Sequence, residues 1–134
     1  MLKFIPLKAQ AGFTGFESPS AEYAQMDLDL GQLLIDHPTA TYIGYAEGES
    51  MTDVGIHCGD LLLISRAEEV KNNDIIVANL NGVFVVKQVD KPNKRLLSAA
   101  TGYAPYTLSS GDEFQIEGVV TRSIRLHRPL NIKL

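Results

Sequence analysis

The chain has 134 residues, 45% of them apolar and 21% charged, which suits one domain with its own core. Its formal net charge of −4 argues against direct wrapping of nucleic acid, which leaves a basic footprint. A single cysteine, Cys58, excludes an internal disulfide and a cysteine-based zinc cluster, and no apolar run nears the ~18 residues of a membrane span.

Residues 1–28 are rich in Gly, Pro, Ser and small residues and carry no sustained period, which predicts an extended N-terminal arm. Pro6 and Lys8 interrupt the first apolar residues, so no stretch of signal-peptide length forms, and a reducing cytoplasm is the expected location. Asp29 is placed to cap a helix. Leu30, Leu33 and Leu34 then fall on one helical face, and Pro38 stops it, giving one short helix. That helix opens the second expected domain, 29–134.

Beyond residue 40 the pattern is strand. ATYIGYA, DLLLIS, DIIVANL, VFVVKQV, RLLSAA and FQIEGVVTRSIRL are short, β-branched or aromatic, and punctuated by Gly, Pro, Asn or Asp. The fold class is therefore mainly β: a compact twisted β domain, in a barrel-like or sandwich arrangement, behind an arm and one short helix. The last of these stretches alternates charged and apolar residues from Arg122 to Arg128, which predicts a half-buried strand with a basic outer face.

Two places in this β domain invite chemistry. The first is EGESMTDVG (47–55), where Ser50 follows Gly48 on what reads as a tight turn. A serine hydroxyl is inert at neutral pH without a base. His57 and Asp53 lie nearby, but Thr52 breaks the Gly-x-Ser-x-Gly elbow, and His37, His57 and His127 lack metal-ligand spacing. No metal or other cofactor is expected.

The second place is the hairpin around Asn81-Gly82, a turn whose two positions need positive φ. A two-residue turn sets Leu80 opposite Val83 and, four pairs on, Ile76 opposite Lys87. Lys87 then shares a face with Val83, Val85, Ile76, Ala78 and Leu80, all apolar, and the other face also reads as buried. Poor access to water lowers a lysine pKa, and a neutral amine can take a proton from a serine. Against this stands the ordinary behaviour of a strand lysine, whose amine snorkels to solvent, and of a turn serine, which does nothing. The residues alone leave both readings open.

GFESPSAEY (15–23), GESMTDVGI (48–56), GDLLLI (59–64), DIIVA (74–78), VFVVKQ (83–88), YAPYTLSS (103–110) and FQIEGVV (114–120) occur in this order. Together they resemble the LexA/UmuD family of self-cleaving serine peptidases, its UmuD branch above all. The resemblance implies a catalytic domain of the LexA/signal-peptidase type, with Ser50 as nucleophile and Lys87 as general base. It implies that the backbone N–H groups of Glu49 and Ser50 form the oxyanion hole. Family members cut their own arm before a glycine, which points to Ala11-Gly12, with Thr14-Gly15 as the alternative. The chain departs from the family here, since its Gly-Phe-x-Ser-Pro motif starts at Gly15 rather than at Gly12.

The same resemblance implies a homodimer of the SOS response whose cleavage is promoted by a RecA filament on single-stranded DNA. The shortened product would serve a UmuC-like subunit as part of an error-prone translesion polymerase, without sequence-specific DNA contact of its own. Two alternatives stay open: a non-enzymatic dimerising polymerase accessory, and a repressor-type catalytic domain. About 11 residues precede the favoured bond, too few for a helix-turn-helix domain, which argues for the UmuD branch.

Overall fold

The computed structural model describes residues 3–4, 11–12, 26–27 and 29–133. The chain divides into two units, Met1–Asp36 and His37–Leu134. In the first, strand β1 (Lys3–Phe4) pairs antiparallel with β2 (Met26–Asp27), Lys3 lying opposite Asp27. The reading of the arm as purely extended missed this pairing, because two residues per strand are too few to show a period. The expected helix forms as α1 (Leu30–Leu34), and Asp29 caps it as its position requires: its carboxylate accepts from the Gly31 N–H at 3.0 Å. Ala11 and Gly12 are exposed at a bend, whereas Thr14 and Gly15 lie outside the described residues.

The second unit holds one antiparallel sheet of seven strands. They are β3 (Thr41–Tyr45), β4 (Leu61–Ser65), β5 (Ile75–Leu80), β6 (Val83–Asp90), β7 (Arg95–Leu97), β8 (Tyr106–Thr107) and β9 (Phe114–Ile124). Their order across the sheet is β3-β4-β9-β5-β6-β7-β8. The long β9 runs between β4 and β5 and ties the two halves together. Its register slips once against each neighbour, between Leu63 and Ile64 and between Val77 and Ala78. Such bulges sharpen a sheet's twist. The mainly β class holds: the strands of this unit make one twisted sheet whose pairing, among the described residues, runs from β3 to β8.

Both faces of that sheet carry a core because neighbouring positions on the central strands are all apolar. Val77 faces the cluster of Ala46, Met51, Ile56, Leu62 and Ile64. Ile76 and Ala78, one step either side, face Val89, Leu96 and Val119 on the opposite side. Continuous apolar runs rather than strict alternation are the signature of a doubly covered strand. Leu62, Ile64, Ile76 and Leu96 are fully buried, and each contributes about 1.5–3 kcal/mol of burial.

Candidate active site

The hairpin that carries Lys87 forms in the expected register, from Leu80 opposite Val83 to Ile76 opposite Lys87. Asn81 and Gly82 adopt φ of 53° and 86°, as the two-residue turn demands. Lys87 sits between Val85 and Val89 and is half-buried. Burial lowers its pKa below the ordinary lysine value, the direction that favours a neutral amine. One expectation fails. The hairpin is not buried on both sides along its length: Val83 and Phe84 near its tip are 61% and 68% exposed. The strand outruns the elements packed against its root, and apolarity alone does not reveal where cover ends.

Ser50 sits on a turn built by its neighbours. Gly48 takes a φ of 85°, which any side chain would strain. Met51, immediately after Ser50, is buried in the core and pins the turn from below. The Met51 carbonyl accepts from the N–H groups of Val54 and Ile56, each at 3.2 Å, so the chain wraps round it. A short 3-10 helix, Thr52–Val54, then closes at Gly55 in the left-handed region.

From outside the loop, Arg125 donates to the Gly55 carbonyl at 3.0 Å and to both carboxylate oxygens of Asp60 at 3.2 Å. Asp60 is 3% exposed and also accepts from the His57 N–H at 2.8 Å. Hydrogen bonding from the Arg125 guanidinium holds the Asp60 carboxyl below its usual range. The Arg122–Arg128 stretch thus corrects one expectation: β9 ends at Ile124, and Arg125 turns to clamp the loop that follows Ser50 instead of joining a basic outer face.

Ser50 and Lys87 line the same cleft, about 480 Å³ in volume. Gly48, Met51 and Ala46 border it on the loop side, Tyr42 and Tyr45 on the β3 side, and Phe84, Val85 and Val86 on the hairpin side. Glu49, expected in the oxyanion hole through its backbone, is exposed, and its carboxylate lies 3.6 Å from His57 Nδ1. The cleft can therefore offer a peptide the Ser50 hydroxyl, one amine of lowered pKa, and apolar walls beside β3, the end strand of the sheet among the described residues. No group of three or more His, Cys, Asp or Glu residues gathers as a metal site among the described residues.

One residue escaped the sequence reading. Lys87 Nζ donates to Ser98 Oγ at 2.6 Å. Ser98 follows β7, whose pairing with β6 runs Asp90–Arg95, Val89–Leu96 and Gln88–Leu97. One further step sets Ser98 opposite Lys87. The signal was present in Lys91-Pro92-Asn93-Lys94, a turn-forming run between two strands, from which the register could have been counted outward.

Comparison with known proteins gives the family. The chain matches the Peptidase S24-like family over residues 3–121. It is 40% identical over 124 residues to Protein SamA of Salmonella typhimurium, covering 92% of this chain and 86% of that protein. It is 36% identical over 125 residues to Protein ImpA of Escherichia coli, covering 93% and 86%. Against the LexA repressor of Bordetella pertussis the identity is 39% over 89 residues, 65% of this chain and 41% of the repressor. With the family matched across the arm and the sheet alike, and with relatives spanned over most of their length, this chain belongs to the Peptidase S24-like family of LexA- and UmuD-type proteins.

Proposed function

We propose that Ser50 and Lys87 form a catalytic dyad that cuts the chain's own arm. The observation that carries this reading is their presence on one cleft, with the amine's pKa lowered by burial. The neutral Lys87 Nζ removes the Ser50 proton as Oγ attacks the Ala11 carbonyl. Backbone N–H groups of Glu49 and Ser50 stabilise the oxyanion. The resulting ammonium returns its proton to the Gly12 amine as the peptide bond breaks, and water, deprotonated by Lys87, then releases the acyl group from Ser50.

Ala11-Gly12 is favoured over Thr14-Gly15 on size, since alanine fits a shallow pocket and glycine lets backbone approach closely. Likeness to the UmuD branch supports the wider role. A RecA filament on single-stranded DNA would promote cleavage by binding the cleavage-competent state more tightly. The shortened homodimer would then join a UmuC-like subunit as the accessory of an error-prone polymerase in the cytoplasm.

Intact-mass measurement after incubation at about pH 10, close to the ordinary lysine pKa, tests the chemistry. Loss of residues 1–11 is expected. Loss of 1–14 would move the bond to Thr14-Gly15. A chain that stays whole would leave the non-enzymatic accessory as the better reading, and a Lys87→Ala variant that clips as fast as the parent would remove Lys87 as the base.

A further inference from the structure

We propose that Ser98 is a positioning residue for the general base: its hydroxyl holds the Lys87 amine, and the segment it stands on holds the nucleophile turn. The proposal rests on the Ser50–Lys87 reading. A lysine amine ends a flexible four-carbon stem, and a cleft of about 480 Å³ leaves it room to wander. One short hydrogen bond removes that freedom. Among the described residues, Ser98 Oγ is the partner of Nζ, at 2.6 Å. A neutral amine has two N–H bonds and one lone pair. With one N–H committed to Ser98, the lone pair is free to face Ser50.

The next residue makes the connection to the nucleophile. Ala99 accepts from the Asp53 N–H at 2.6 Å and donates its own N–H to Met51 Sδ at 3.4 Å. Asp53 and Met51 flank Thr52 in the loop that presents Ser50. Two consecutive residues after β7 thus grip the base strand and the nucleophile loop, fixing the separation of two groups that come from distant parts of the chain. Geometry of this kind is sensitive: a displacement of about 1 Å can cost roughly a hundredfold in rate. Ser98 is not among the residues that line the cleft, so it acts through Lys87 and not on the substrate.

The test compares Ser98→Ala, Ser98→Thr and the parent as full chains. The pH profile of self-clipping is read together with the titration of the Lys87 Cε signal by NMR. Ser98 Oγ accepts a stronger hydrogen bond from the ammonium than from the amine, so its removal should move the Lys87 midpoint to lower pH. The other titratable groups on the same cleft are Tyr42, Tyr45 and Glu47, and all three are unchanged in these variants.

Expected for Ser98→Ala is a plateau rate lower by about tenfold to a hundredfold, with the midpoint displaced downward. Ser98→Thr, which keeps the hydroxyl, should restore both. A Ser98→Ala profile and titration that superimpose on the parent would overturn the proposal while leaving the dyad intact. If Ser98→Ala does not fold, Ser98→Cys, close in size but a poor acceptor, takes its place, and a profile and titration that superimpose on the parent again overturn the proposal. A parent chain that never clips defeats the dyad reading instead, and the NMR midpoint still decides whether Ser98 holds the amine.

Discussion

At the scale of single residues, the proposed chemistry depends on what surrounds one amine. Lys87 lies between Val85 and Val89 and opposite Ile76, so water reaches it poorly and its pKa falls. Clipping should therefore climb with pH and level off at a midpoint below the ordinary lysine value, measured as first-order mass loss across a pH series. The sign for stability runs the other way. A lysine whose folded pKa is depressed costs stability at neutral pH, and the cost fades only as pH rises towards the unfolded value. Lys87→Met should accordingly abolish clipping and raise the thermal midpoint together, a pairing that a purely structural lysine would not give. Ser50→Ala should abolish clipping and leave the midpoint close to the parent's, since the half-buried hydroxyl is small and the turn is held by Met51.

At the scale of elements, backbone contacts decide how the strands can pack. Gly118 sits where β9 slips against β5, and a Cβ there would come within 2.6 Å of Ile64 Cγ2 and 3.0 Å of the Ser65 carbonyl oxygen. Gly118→Ala should destabilise the domain by about 2 kcal/mol through overpacking, read from chemical denaturation. Leu62→Ala, in the cluster that pins Met51, should cost about 3 kcal/mol and also slow clipping, because the Ser50 turn rests on that cluster.

A second linkage fastens the hairpin tip. Asp112 accepts from Asn81 Nδ2 at 2.9 Å, from the Tyr106 hydroxyl at 2.8 Å, and from the Ser109 N–H at 2.9 Å. These bonds, Asn81 first, lower its pKa to about 2. The stabilisation is complete above the unfolded carboxylate pKa near 4 and is lost as pH falls towards about 2. Asp112→Ala should lower the thermal midpoint at neutral pH and flatten its acid dependence in that window.

At the scale of the whole molecule, the chain divides into two units, Met1–Asp36 and His37–Leu134, and the described residues that line the cleft come from the second. Among the described residues no helix is long and apolar enough to cross a membrane. With a formal net charge of −4, the chain should give no shift in the anisotropy of labelled duplex DNA at physiological salt. Binding that weakened steeply with salt would instead show a phosphate-contacting surface, and DNA engagement would no longer need to be left to partners.

Much of this was legible in the linear order of residues. The Asn81-Gly82 turn dictates its hairpin register by local geometry, and with it the apolar neighbours of Lys87. Asp29 caps α1 because capping involves only neighbouring residues. Six of the seven strands of the sheet follow from β-branched runs between turn residues. Tertiary structure alone decided the rest: the strand order, the turn of Arg125 onto Asp60, and the arrival of Ser98 at the Lys87 amine. These are pairings between distant segments, set by which surfaces exclude water together. Periodicity records how a segment behaves along its own axis, and contains no statement of what it will meet.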